Sequence, residues 1–91
     1  MPSVPSDAAA YIGERIADAR REGGWTQDEV AAKSGIDSSN IRKYENGRAM
    51  PNIHSLVRIA EALGVEPGRF LKGITSDLFA VAANAGRRRS A

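Results

Sequence analysis

Five polar side chains lie within a short stretch in the middle of the chain: Ser38, Ser39, Arg42, Lys43 and Asn46. Their hydroxyl, guanidinium, ammonium and amide groups all form hydrogen bonds, which suits binding of a polar or anionic partner. At about 100° per residue, a helix over residues 38–46 places Ser39, Lys43 and Asn46 on one side, with Arg42 on the flank and Ser38 at the tip. The spacing therefore predicts a helix with a hydrogen-bonding outer face.

A second helix is predicted directly before this one. Thr26 and Glu29 have the spacing of a capping box, in which each side chain bonds the backbone N–H of the other residue. Gly35 can adopt the positive φ that ends a helix, and Asp37 is the expected cap of the next helix. Because only the sequence SGID joins the two helices, we expect a sharp and fixed angle between them.

The remaining elements are also predicted to be helical, and no β pattern occurs. Apolar residues at helical spacing predict helix 1 over roughly residues 8–22 and helix 4 within 52–64, where an asparagine begins it and a glycine ends it. Pro67 opens a brief helix 5 that should pack Phe70 and Leu71 against the core. The sequence therefore predicts a compact all-α domain of five helices.

Composition limits the possible functions. The chain has 91 residues, no cysteine and one histidine, which excludes disulfides, thiolate chemistry and cysteine-based zinc sites. With no glycine-rich phosphate loop and no convergent carboxylates, neither enzymatic activity nor a metal or cofactor is expected. No apolar run approaches a membrane span and no signal peptide is visible, so we expect a cytoplasmic protein without membrane contact.

Charge is distributed unevenly along the chain. Residues 1–32 carry three arginines against six acids, for −3, whereas residues 33–72 carry seven basic residues against four acids, for +3. Arg87, Arg88 and Arg89 account for the remaining positive charge, and the formal net charge is +2. One part of the domain could therefore orient a polyanion although the total charge is small.

From Ile12 to Leu71 the sequence resembles the Xre/Cro-type helix-turn-helix domains of phage repressors and bacterial transcription regulators. The resemblance rests on helix order, turn length, the small Ala31, the Gly35 turn, and the motifs "YENG" and "IAEALGV". Trp25 departs from the pattern, since leucine is usual at that place. The resemblance implies a lambda repressor-like fold, with the helix-turn-helix over residues 26–46, and a sequence-specific DNA-binding regulator, expected to be a repressor.

Helix 3 would then enter the major groove of double-stranded DNA while helix 2 crosses the backbone and braces it. Lys43 can donate to guanine O6 or N7 from the middle of the outer face. Ser38 and Ser39, near the helix N-terminus, can contact a base edge or a phosphate. Arg42 and Asn46 complete the expected base-contacting set, although Arg42 could hold a phosphate instead.

Phosphate contacts are expected on both sides of helix 3. By resemblance, Gln27 at the start of helix 2 is a phosphate-contacting residue, where free N–H groups and the helix dipole favour an anion. The other expected phosphate contacts are Asn40, Arg48, Asn52 and His54. By the same resemblance Arg20 and Glu45 form a partly buried ion pair between helices 1 and 3, which is a structural role.

A dimer is expected on energetic grounds. One short helix makes only a few base contacts of about 1 to 3 kcal/mol each, so two half-sites of a roughly palindromic operator are needed. Residues 1–7 should be disordered, residues 8–72 form the domain, and residues 73–91 form a C-terminal extension. This extension is either a sixth helix, whose Leu78 and Phe79 form a dimer surface together with Phe70, or a disordered basic tail.

Another class of function remains open. The same fold could serve as an antitoxin or a protein-interaction module that covers a protein partner. An enzyme is the least favoured alternative, because the chain has no cysteine and only one histidine, His54, among the side chains that most often act in catalysis.

Overall fold

The computed structural model describes residues 6–79, and all regular structure in this range is helical. Four α-helices and two short 3-10 helices follow one another along the chain: α1 (Asp7–Glu22), α2 (Gln27–Ser34), α3 (Ser38–Glu45), α4 (Ile53–Leu63), and the 3-10 helices Pro67–Phe70 and Ser76–Phe79. The predicted all-α fold class is confirmed.

Polar caps fix where three of the four α-helices begin. Ser6, Thr26 and Asn52 each accept a hydrogen bond from the backbone N–H three residues later, at 3.2, 3.0 and 2.7 Å. Glu29 returns a bond to the Thr26 backbone, so the predicted capping box is confirmed. The expected cap at Asp37 is wrong, because its side chain makes no capping hydrogen bond.

Glycines with left-handed backbone end α2 and α4. Gly35 has φ +74° and Gly64 has φ +72°, values that residues with a Cβ rarely adopt. Both helices therefore end at the glycines that the sequence predicted.

One core joins α1, α2, α3 and α4 to the first 3-10 helix. Its largest side chains are fully buried and come from all five elements: Ile12, Ile16, Val30, Ile41, Ile59 and Phe70. Trp25 and Tyr44 pack against this core but are only partly buried. Because Ile41 is enclosed, the opposite side of α3 is fixed toward solvent.

The fifth element differs from the prediction. Residues Pro67–Phe70 form a short 3-10 helix, with i to i+3 bonds such as Leu71 N to Gly68 O at 3.0 Å. Phe70 is fully buried, whereas Leu71 is 37% exposed, so only one of the two residues packs into the core. The buried Phe70 side chain also leaves no surface for a second chain.

The ends of the described range differ in part from the expected boundaries. Helix α1 begins at Asp7, within the segment predicted to be disordered. At the other end, Ser76–Phe79 is a 3-10 helix that contacts α1, with Phe79 51% exposed. Residues 1–5 and 80–91, with Arg87–Arg89, lie outside the described residues. No helix within 6–79 is long and apolar enough to cross a membrane.

Candidate nucleic-acid interface

The turn between α2 and α3 is stabilised by buried side chains and by a hydrogen bond from α4. Val30 of α2 and Ile41 of α3 are both fully buried. Ser34 accepts at its hydroxyl from the Ile36 N–H at 3.2 Å, and its carbonyl accepts from Arg58 Nε of α4 at 2.9 Å. The last carbonyls of a helix usually lack an intrahelical partner, so this bond both satisfies the end of α2 and ties the pair to α4.

Glu45, at the end of α3, is bonded to two other elements. Arg20 of α1 donates from Nε to Oε2 at 2.7 Å and from Nη2 to Oε1 at 3.0 Å. Gln27 of α2 donates from Nε2 to Oε1 at 3.0 Å. The carboxylate side chain is only 4% exposed, and the hydrogen bond from Arg20 raises the pKa of that guanidinium above its ordinary value. Removing one partner of so enclosed a pair costs about 3 to 5 kcal/mol, because the other charge is stranded.

Helix α1 also supports α3 by close backbone contact. Gly13 faces the carbonyl oxygen of Tyr44, and a methyl group at Gly13 would overlap that oxygen. The two helices can approach this closely because α1 has no side chain at that position. The orientation of α3 is therefore set by α1 as well as by α2.

The outer side of α3 is exposed and polar. Ser39, Arg42, Lys43 and Asn46 are exposed, and Ser38 is half-buried. No carboxylate of residues 6–79 forms an ion pair with a basic side chain on or next to the outer face of α3. These unpaired basic side chains are Arg42, Lys43 and Arg48. By contrast, four arginines elsewhere lie 2.7–3.6 Å from a carboxylate: Arg15, Arg20, Arg21 and Arg69. Positive charge is thus left available on the α3 side.

The residues expected to contact phosphates lie on α3 and on the elements next to it in the chain. Four of them are exposed, on α3, in the loop after it and at the start of α4: Asn40, Arg48, Asn52 and His54. Gln27 is half-buried, and one amide hydrogen is used by Glu45, which leaves the other hydrogen and the carbonyl. Asn52 uses its oxygen as the cap of α4 and keeps its NH2 group.

Two contacts of this surface were not predicted from the sequence. One is the Gln27 bond to Glu45, which joins residues far apart in the chain. The other is the bond from Ser39 Oγ to Asp37 Oδ2, at 3.3 Å. A capping residue that does not cap has no signature in the sequence, because the usual preference for Asp at this place predicts the opposite.

Comparison with known proteins gives a consistent family. A family model described as helix-turn-helix, HTH_3, matches residues 16–70. An uncharacterized HTH-type transcriptional regulator, y4dJ, from Sinorhizobium fredii is 41% identical over 59 residues, covering 65% of this chain and 77% of that protein. The CTXphi transcriptional repressor RstR of Vibrio cholerae is 39% identical over 54 residues, covering 59% of this chain and 48% of the repressor. A multiprotein-bridging factor 1 from Candida albicans is 42% identical over 55 residues, or 60% of this chain and 36% of that protein. The match thus spans about half or less of the last two proteins.

Solved structures with a similar fold include restriction-modification controller proteins. C.AhdI from Aeromonas hydrophila superposes with a TM-score of 0.67 at 27% identity, covering 68% of this chain and 94% of the controller. Wild-type C.Esp1396I superposes with a TM-score of 0.66 at 29% identity, covering 71% of this chain and 86% of that one.

Proposed function

The chain belongs to the Xre/Cro-type helix-turn-helix family of DNA-binding transcriptional regulators, and from this premise we propose that it is a repressor. It binds a roughly palindromic operator as a dimer, with α3 of each copy in the major groove. The observation that carries the proposal is the outer face of α3, which is exposed and whose cations have no carboxylate partner among residues 6–79.

Unpaired cations on a rigid helix favour a polyanion over a neutral partner. Arg42, Lys43 and Arg48 each exchange small counterions for DNA phosphates without first breaking an internal salt bridge. The major groove is about 12 Å wide and admits one α-helix. Helix α3 is held by the hydrogen bonds of Glu45 and by its close contact with α1 at Gly13. It can therefore enter the groove without rearrangement.

Base contacts and phosphate contacts are assigned to different residues of the same surface. Lys43 donates to guanine O6 or N7, with Ser38, Ser39, Arg42 and Asn46 as the other base contacts. The phosphate contacts set the position of the domain on the duplex. They are assigned to Gln27, Asn40, Arg48, Asn52 and His54.

The dimer surface is assigned to the C-terminal end of the described chain. Phe79 is 51% exposed and Leu71 is 37% exposed, and Leu78 lies beside Phe79 on the second 3-10 helix. Burial of these apolar side chains against a second copy provides the association energy. Phe70, which was part of the expected surface, supports it from within the core.

Selection of binding sites from random duplexes by the purified chain tests the proposal. The expected product is a consensus with two inverted half-sites whose centres lie about 34 to 36 Å apart, or a multiple of that spacing. Binding should weaken steeply as salt concentration rises. Equal recovery of all sequences would contradict it.

A protein-interaction function, including that of an antitoxin, is the second candidate. It is favoured by the relatives named multiprotein-bridging factor 1 and by the exposed Phe79. In that case a protein partner co-purifies with the chain and Phe79→Ser releases it, whether or not the chain also binds an operator. A selected consensus with no such partner would exclude the second candidate.

A further inference from the structure

Asp37 lies at the start of α3 and does not act as a helix cap. The side chains before the other three α-helices each bond a backbone N–H, but that of Asp37 does not. Asp37 is exposed, and its Oδ2 accepts a hydrogen bond from Ser39 Oγ at 3.3 Å. This bond places the carboxylate beside Ser39, which belongs to the outer face of α3.

The bond makes this end of the helix a surface of hydrogen-bond acceptors. The hydroxyl hydrogen of Ser39 points at Asp37, so the Ser39 oxygen has only its lone pairs to offer. The carboxylate has further lone pairs, since one long bond uses little of its capacity. Within residues 6–79, no Lys or Arg forms an ion pair with Asp37, so its negative charge is not neutralised.

A negative acceptor on a DNA-binding helix cannot hold a phosphate, since both groups are anions. In the major groove, guanine offers O6 and N7 and thymine offers O4, all of them acceptors that a carboxylate repels. Cytosine offers only the N4 amino donor. Adenine offers an N6 donor beside the N7 acceptor, which suits an amide better than a carboxylate.

We propose that Asp37, with Ser39 beside it, contacts the N4 amino group of a cytosine in each half-site and so determines one position of the operator. The assignment rests on the proposed DNA-binding function and adds a specificity residue to it. Lys43 lies about one helical turn beyond Ser39, roughly 6 Å along the helix, and contributes donors where Asp37 contributes acceptors. Lys43 therefore selects a base with hydrogen-bond acceptors, and Asp37 selects a base with a hydrogen-bond donor, in nearby base pairs.

Site selection with Asp37→Asn tests the inference. An amide of the same shape can donate and accept together, which matches adenine N6 and N7. We expect one position of each half-site to change from cytosine to adenine, with a roughly tenfold change in relative affinity between the two bases. An unchanged consensus, with all duplexes bound more tightly, would overturn the inference, because Asp37 would then act only by repelling the backbone.

Two further variants separate recognition from folding and from net charge. Asp37→Ser keeps a residue suited to helix N-caps, so its thermal midpoint should match that of the parent while the cytosine preference is lost. Glu66→Gln removes the same charge from an exposed residue before the first 3-10 helix and should leave the consensus unchanged. Retention of cytosine by Asp37→Ser, or its loss in Glu66→Gln, would also overturn the inference.

The same experiment distinguishes this inference from the proposed function. If the parent chain selects no consensus, both fail together. If the parent selects a consensus that Asp37→Asn and Asp37→Ser both keep, only the role of Asp37 fails.

Discussion

Lys43 differs from the ion-paired arginines of the described chain in what surrounds it. Arg20 is bound by Glu45 and Arg69 by Glu22, each at 2.7 Å, whereas Lys43 is exposed and unpaired within residues 6–79. A cation that already has a carboxylate partner gains little from a further anion. Interaction with DNA should therefore depend on which basic residues are free more than on how many there are.

The variant Lys43→Ala should relax base preference and weaken specific binding by about 1 to 3 kcal/mol, because a donor to guanine is lost. Competition between the selected operator and mutated operators measures this preference. Lys72→Ala is the matched control, since Lys72 is also exposed and has no ion-pair partner among the described residues but lies outside α3. An unchanged ranking of operators for Lys43→Ala would remove Lys43 from the base-contacting set.

Gln27→Ala should weaken binding to all duplexes by a similar factor, because a phosphate contact carries no sequence information. Stability should change little, since Glu45 keeps both hydrogen bonds from Arg20. Affinities for operator and random duplex, measured side by side, check the prediction. A changed base preference would instead show that Gln27 acts on α3 through Glu45.

At the level of residues, the sequence identified the polar face but not its internal bonds. Ser39 and Lys43 are exposed as helical spacing predicts, because Ile41 between them is the buried residue of α3. The bonds of Gln27 to Glu45 and of Ser39 to Asp37 depend on side-chain rotamers and on packing between helices. Local propensity contains neither kind of information.

At the level of elements, α3 is positioned directly at its C-terminal end and indirectly through α2. Glu45 is bonded to α1 and α2, Gly13 allows α1 to approach, and Arg58 of α4 bonds the end of α2. The helix ends were predictable because caps such as Thr26 act within one turn. The 3-10 type of the fifth element could not be predicted, since the same sequence signals begin an α-helix and a 3-10 helix.

Gly13→Ala should destabilise the domain by roughly 1 to 3 kcal/mol or more, because the added methyl group overlaps the backbone oxygen of Tyr44 and forces α1 and α3 apart. Chemical denaturation followed by circular dichroism measures the change. Gly68→Ala is the control, because a Cβ there meets no atom within 4 Å, and its stability should equal or slightly exceed that of the parent. Equal stability of the two variants would contradict the close approach of α1 and α3.

At the level of the whole molecule, one domain presents two distinct surfaces. The face of α3 is polar and carries unpaired cations, whereas the second 3-10 helix contacts α1 and leaves the apolar Phe79 side chain 51% exposed. The burial of Phe70 could not be separated from the exposure of Leu71 by periodicity in so short an element, and the use of the C-terminal end as a dimer surface stays a prediction.

Phe79→Ser should shift the chain from dimer to monomer in sedimentation experiments at micromolar concentration. A buried phenylalanine contributes roughly 1.5 to 3 kcal/mol, and a two-fold axis doubles the loss. Ile53→Ser is the control, because Ile53 is 70% exposed at the start of α4 and should leave the dimer intact. If both variants sediment as the parent does, the dimer surface lies elsewhere.

The central claim is that α3 lies in the major groove, and dimethyl sulfate protection of the selected operator tests it most directly. Dimethyl sulfate methylates guanine N7 in the major groove and adenine N3 in the minor groove. The account predicts protection of guanine N7 in both half-sites, with one guanine per half-site exposed again in Lys43→Ala. Protection confined to adenine N3, with every guanine N7 still reactive, would contradict it.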